Sequence, residues 1–184
     1  DRFSGLEGQG FDVTSEDATG YAPDVQDFTS VIMNPPFGSL NTAVKVDGFT
    51  IKKLDHLIAV KALEVLDNEG QSVIIIGASK DAGFISSGDK VFFNWLYSHY
   101  NVVDHFEVDG QLYSRQGASW PVRVITVAGR EESSTMSPPS GSIERLTNWS
   151  ELYERYTETL DTTRRGIERR VENRPGSEIQ TSDR

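Results

Sequence analysis

The chain has 184 residues, enough for one domain with its own core, and 36% apolar with 25% charged residues is the composition of a globular protein. No apolar run approaches the roughly 20 residues of a membrane span, and the N-terminal DRFSGLEGQG lacks the basic-then-apolar pattern of a leader, so a cytoplasmic protein is expected. The absence of cysteine excludes disulfides, thiolate zinc sites and thiolate nucleophiles, and a net charge of −10 argues against gripping nucleic acid by bulk electrostatics while leaving room for a local basic groove.

In chain order, residues 11–15 (FDVTS) and 30–33 (SVIM) read as short strands. Asn34-Pro35-Pro36-Phe37 follows the second directly, a tetrapeptide that continues neither strand nor helix. Pro35 and Pro36 fix φ and push the residues before them toward extended conformations, so Asn34 and Phe37 are held with little entropy left to lose. In an open α/β sheet, a turn at the carboxyl end of a strand lies in the ligand crevice. A long loop holding Asn41, Thr42 and Gly48 is expected next, and Lys45, Lys52 and Lys53 around it either meet a substrate phosphate or are simply solvated.

Residues 51–66 predict a helix with Leu54, Leu57, Ile58, Ala62 and Val65 on one face, ended by Asn68-Glu69-Gly70 with the glycine left-handed. SVIIIG at 72–77 is an uninterrupted apolar strand, the pattern of a sheet covered on both faces. Residues 90–100 read as a helix, and 102–108 and 122–128 as strands. The sum is an α/β sheet finishing in an antiparallel hairpin.

Beyond Arg130 the character changes. Residues 131–142 (EESSTMSPPSGS) read as a Ser/Pro-rich linker with almost nothing to bury, dividing a domain over 1–130 from a C-terminal part over 143–184. There Leu146, Trp149, Leu152, Tyr153 and Tyr156 at helical spacing predict a short docking helix, with Asn148 or Ser150 as its cap. Arg164, Arg165, Arg169, Arg170 and Arg174 follow, either on a solvated helix and frayed tail or on an arm that contacts phosphate or a partner. His56, His99 and His105 are too dispersed for metal ligation, and Asp104, Glu107 and Asp109 fit alternation on an exposed strand better than a metal cluster. No metal is expected.

Asn34-Pro35-Pro36-Phe37 after an apolar strand resembles the NPP(F/Y) motif of S-adenosylmethionine-dependent amino-methyltransferases, above all the N6-adenine DNA methyltransferases. An exact NPPF arises by chance in roughly one chain in a thousand of this length, so the match carries weight. The resemblance covers about residues 8–130. FDVTSEDA resembles the strand and acidic turn before the motif; LDHLIAVKALEVL, NEG and SVIIIG follow in the family's order; VVDHFEVDGQLYSRQGASWPVRVITVAG resembles the antiparallel strands that close its sheet. LTNWSELY in the tail resembles methyltransferase modules of large phage or plasmid helicase-methylase polypeptides.

The resemblance implies an incomplete Rossmann-like class I methyltransferase sheet with a C-terminal helical or disordered tail. It implies methyl transfer from S-adenosylmethionine to adenine N6 in DNA, within a restriction-modification, defence or anti-defence protein. Asn34 and the Pro35 carbonyl would accept the N–H groups of the target amine, Phe37 would stack on the flipped base, and Pro36, Gly38, Lys45 and Lys53 would line the substrate side. Asp17 would approach the cofactor's adenine, with Asp12 as competitor and a plain turn role left open. No covalent intermediate is needed, so the lack of cysteine is no obstacle; it does exclude cytosine C5 methylation of the usual kind.

The family's glycine-rich cofactor loop and its ribose-binding acid should both precede FDVTS. Gly5, Gly8 and Gly10 imitate such a loop, but no apolar strand precedes them and no helix clearly follows. These residues alone are therefore expected neither to bind S-adenosylmethionine nor to methylate. Two parallel sheet edges would lie open, to be completed by the remainder of the same polypeptide or by a companion subunit. The alternatives are a catalytically silent methyltransferase-like DNA-binding or scaffold domain, or a methyltransferase acting on RNA guanine N2 or protein glutamine.

Overall fold

The computed structural model describes residues 2–20, 28–116, 119–133 and 136–172. A short helix, α1 (Arg2–Glu7), is followed by an irregular stretch through residues 11–15. The strand expected at FDVTS does not form: Phe11 is exposed, and among the described residues no neighbouring strand takes up its backbone hydrogen bonds.

β1 (Phe28–Met33) turns Val31 and Met33 into the core and stops at the prolines, which have no N–H to continue a ladder. The loop expected next is instead a hairpin, β2 (Ser39–Val46) and β3 (Phe49–Lys53). Asp47 and Gly48 close it with φ of 49° and 86°, the two-residue turn whose twist matches that of the strands. α2 (Leu54–Leu63) starts where β3 ends, so the helix expected over 51–66 loses its first residues to pairing of Ile51 with Val44 and Lys53 with Ser39.

β4 (Leu66–Gly77) begins earlier than expected. Phe28 faces Leu66 but Ser30 faces Gln71, so the intervening residues of β4, including Asn68-Glu69-Gly70, form a bulge rather than a helix terminus. Gly70 does not adopt the expected left-handed conformation. α3 (Ser87–His99) starts before the expected Lys90 because Ser86 and Asp89 make a reciprocal capping box: Ser86 Oγ accepts from Asp89 N at 3.2 Å and the Asp89 carboxylate accepts from Ser86 N at 2.9 Å. The Asp47 carboxylate accepts from Trp95 Nε1 at 2.9 Å, pinning the hairpin tip to α3.

β5 (Val102–Val108) and β6 (Val122–Ala128) form as expected. Leu146, read as the first apolar position of the terminal helix, lies instead in β7 (Arg145–Leu146). α4 (Trp149–Glu172) follows, 24 residues long rather than short, with Asn148 Oδ1 accepting from Glu151 N at 3.0 Å as its cap. Between β6 and β7, Met136 and Ile143 pack on the main core and Ser133 Oγ donates to Tyr100 O at 2.8 Å.

The five-stranded sheet runs β1-β4-β6-β5-β7, with β1 parallel to β4, β6 antiparallel to both its neighbours and β7 parallel to β5. The protein is thus α/β with a mixed sheet and a separate hairpin. Alternation along the strands divides the interior. Ile74, Ile76, Ile125 and Val127 meet Leu57, Leu63, Phe92, Phe93 and Leu96 of α2 and α3. On the opposite face, Phe106, Val108, Val124 and Ile75 meet Leu152 of α4. Coverage of that second face is partial, since α4 packs on β5 and β6 and leaves Val73 and Ile75 half-buried. Among the described residues no strand pairs with the outer edge of β1, where Ile32 is 80% exposed. No described helix is long and apolar enough to cross a membrane.

Candidate functional site

The Asn34-Pro35-Pro36-Phe37-Gly38 turn sits at the carboxyl end of β1, beside the carboxyl end of parallel β4. Pro35 is buried; Asn34, Pro36 and Gly38 are exposed, and Phe37 is 40% exposed. The other side of the Phe37 ring rests on Gly77: a Cβ placed there would lie 3.1 Å from Phe37 Cγ. Only glycine ends β4 without moving the ring. Gly38 O accepts from Leu54 N at 2.9 Å, so the chain leaves the turn, traverses the hairpin and returns to the same point as α2.

Asp55, in the first turn of α2, accepts from Gly77 N through Oδ2 at 3.0 Å and ties the helix to the strand end beneath Phe37. Burial pushes its carboxyl pKa up, against the lowering effect of the Gly77 N–H and the Lys53 charge. Its Oδ1 is buried without a hydrogen-bond partner.

Below this end of the sheet runs a buried chain of charges that the sequence did not reveal. Lys53 Nζ lies 2.5 Å from Asp89, Arg123 lies 3.2 Å from Asp89 and 3.2 Å from Glu107, and Arg145 lies 2.6 Å from Glu107. The network holds the segment after β4 from underneath. Arg123 donates to Phe84 O at 2.6 Å, Arg145 to Ser79 O at 2.6 Å and Lys80 O at 2.9 Å, and Glu107 accepts from Gly83 N at 3.0 Å. Burial pushes the Asp89 carboxyl up, but the hydrogen bond and charge of Lys53, the charge of Arg123 and the Ser86 N–H outweigh it and hold the pKa down at about 2.

Two further exposed aromatic residues stand in the loop that follows β4 and in the one that precedes β6. Besides Phe37, Phe84 is 55% exposed and Trp120 is 45% exposed. Trp120 Nε1 donates to Ala78 O at 2.8 Å, and Lys80 Nζ lies 4.9 Å from its ring centroid. Phe84 and Trp120 were not anticipated; their signal was an aromatic in a Gly- or Pro-containing loop directly after or before a strand. At the turn itself, the exposed Asn34 amide stands three residues before the exposed Phe37 ring, an acceptor and a planar apolar face of the kind a flat, polar-edged ring engages.

The remaining expected site residues are more scattered. Lys53 is engaged with Asp89, whereas Lys45 is exposed on β2 opposite Thr50. Asp17 Oδ1 accepts from Thr19 N at 2.9 Å and Thr19 Oγ1 at 2.8 Å, bonds within its own turn that lower its carboxyl pKa. Its neighbour Ala18 lines a cleft of about 330 Å³ along β1 with Phe28, Ile58 and Ala62. Asp12 is exposed in the irregular stretch. Gly8 N and Gly10 N donate to Ser4 O and Glu7 O at the end of α1, so the SGLEGQG amides close a helix rather than cradle an anion.

His56 is stacked on Phe92 at 4.4 Å and His105 Nδ1 bonds Tyr97 OH at 2.9 Å. Burial lowers the pKa of each to about 3. Asp104 and Glu107 do not lie on an exposed strand face, as the alternation suggested: both are buried, Asp104 under Arg155 at 2.6 Å and Glu107 between two arginines. Among the described residues no group of three His, Asp or Glu is placed to hold a metal. Arg164 and Arg165 are exposed on α4, and Arg174 lies outside the described residues.

For S-adenosylmethionine, the described residues offer Asp17 and the Phe37 wall but no amide cradle for its carboxylate and no acid placed for its ribose. They do not make a complete site for the cofactor. No family model matches the chain, and no curated protein matches its sequence.

Proposed function

We propose that this chain is the target-base side of a methyltransferase that modifies adenine N6 in DNA, its cofactor side being supplied by polypeptide outside residues 1–184. The observation that carries the reading is the rigid Asn34-Pro35-Pro36-Phe37 turn at the carboxyl end of β1, with Asn34 exposed and Phe37 seated on Gly77. The sheet order supports it, since two parallel strands followed by an inserted antiparallel strand is how the resembling family's sheet ends.

S-adenosylmethionine supplies an electrophilic methyl group; the residues of this chain prepare the acceptor. An exocyclic aromatic amine is a poor nucleophile because its lone pair is delocalised into the ring. The Asn34 amide oxygen and the Pro35 carbonyl each accept one amine N–H, which localises the lone pair on nitrogen and aims it for in-line displacement. Phe37 stacks on the extruded base and fixes its plane, worth ~1 to 3 kcal/mol. The proline-locked backbone keeps both acceptors in place without further ordering on binding.

A second reading, a silent methyltransferase-like scaffold, is favoured by the missing cofactor cradle. Asn34→Ala separates the two when measured on the complete assembly. It is expected to abolish methyl transfer while leaving cofactor affinity nearly unchanged, and equal loss of both refutes the acceptor role.

A further inference from the structure

We propose that Asp55 is the positioning residue for the exposed ring of Phe37: its carboxylate fixes Gly77, on which the ring rests, and so sets where a flat substrate can stack. This role rests on the reading of Phe37 as the base-stacking ring and adds the group that holds that ring in place. The Phe37 side chain has no polar atom, so its position is decided by the backbone on either side of it and by the surface beneath.

Both are held from the start of α2. Leu54 N donates to Gly38 O at 2.9 Å, which fixes the backbone just after Phe37, as the two prolines fix it just before. The next residue, Asp55, accepts from Gly77 N through Oδ2 at 3.0 Å, which fixes the surface under the ring. Pairing of β1 with β4 ends at Met33 and Ile74, and beyond it the Asp55 carboxylate takes up the Gly77 N–H. Gly77 is gripped through its carbonyl as well, which accepts from Arg123 Nη1 at 3.4 Å. The ring lies so close to Gly77 that a Cβ there would stand 3.1 Å from Phe37 Cγ, so a small shift of the strand end is passed on to the ring.

Asp55 lowers the stability of the fold in filling this role. It is 2% exposed, and its Oδ1 has no hydrogen-bond partner among the described residues. A buried carboxylate left half-satisfied is destabilising, and asparagine offers the same shape and one acceptor oxygen without the charge. Nor does the carboxylate cap its own helix: α2 has no side-chain cap at Lys53, and Oδ2 crosses to β4. What the ionised oxygen adds is a bond to Gly77 about twice as strong as a neutral one. Local instability kept at a ligand-facing turn is the pattern of a residue retained for function.

Asp55→Asn separates positioning from structural support, because the two roles predict opposite changes in stability. Fluorine NMR of the 184-residue chain carrying 4-fluorophenylalanine in place of Phe37 reads the ring directly. One narrow resonance is expected from the parent chain. With Asp55→Asn it should shift and broaden, while urea unfolding shows a stability equal to the parent's or above it. In the complete assembly the same substitution should raise KM for DNA about tenfold, part of the worth of a base–aromatic stack, and leave KM for S-adenosylmethionine unchanged. An unmoved resonance, a loss of stability, or an unchanged KM for DNA overturns the role of Asp55 and leaves the reading of the Asn34 turn standing. A shifted resonance at full stability, in an assembly whose parent form methylates nothing, sustains the positioning role and refutes that reading instead.

Discussion

Replacing Arg123 by methionine isolates the buried charge chain that supports the site. Arg123 is fully buried on β6, with Asp89 and Glu107 each 3.2 Å away and the carbonyls of Phe84 and Gly77 at 2.6 and 3.4 Å. Methionine fills most of the volume but removes every donor. Asp89 keeps Lys53, and Glu107 keeps Arg145 on one oxygen, so two half-compensated carboxylates and two carbonyls stay buried. Breaking a buried pair in this way costs about 3 to 5 kcal/mol. For a chain of this length each kcal/mol lowers Tm by about 2 to 4 °C, so a fall of about 6 to 20 °C is expected. Urea unfolding followed by far-ultraviolet circular dichroism measures the loss directly, with the m-value unchanged. Glu107→Gln in the same chain should restore part of it, because the uncompensated charge goes. A loss below about 1 kcal/mol, the size of a surface pair, would show that the guanidinium is solvated and the network is not load-sharing.

Stability should fall as pH drops from neutral. His56 and His105 remain neutral in the folded chain down to about pH 3, while their ordinary pKa is 6.5, so the unfolded chain gains their protons first. Each group then removes about 1.4 kcal/mol per pH unit through that window. Asp55, whose pKa is raised by burial, opposes this by taking up a proton earlier in the folded chain, and the stabilisation from Asp89 is lost only as pH falls from its ordinary 3.8 toward about 2. Chemical denaturation at pH 7 and pH 5 reads the slope, and equal stability at both rules out neutral buried histidines. Gly77→Ala places a methyl 3.1 Å from Phe37 Cγ and is expected to cost about 1 to 3 kcal/mol while displacing the ring. A variant of unchanged stability would mean that Phe37 does not rest on the strand. Phe37→Tyr should be mild and Phe37→Ala should weaken base binding in the complete assembly; the reverse order removes stacking from the mechanism.

Local chemistry made much of the site legible. The two prolines after SVIM announce a rigid exit from a strand, and the strands at 102–108 and 122–128 show in their apolar composition. Asp47-Gly48 between Val46 and Phe49 is a hairpin signal as local as the prolines, but the apolar spacing that begins at Ile51 has the helical period and masks it. Residues 11–15 have strand composition and no strand, because a strand is specified by its neighbour as well as by its own side chains. Glu107 looks like an outward position of an exposed strand, and Arg123 carries no signal of its own. Only the pairing of β5 with β6 brings them face to face, and only α3 brings Asp89 to meet them. Gly77 likewise shows no special role until the fold lays Phe37 on it.

The central claim is tested most directly by identifying the product. The complete assembly, incubated with methyl-labelled S-adenosylmethionine and with DNA, RNA and protein substrates in parallel, is followed by nucleoside and amino-acid analysis. The expected product is N6-methyladenine in DNA, lost on Asn34→Ala and retained in part on Phe37→Tyr. Label in RNA guanine or in a glutamine side chain, or no transfer from an assembly that binds the cofactor, would contradict it.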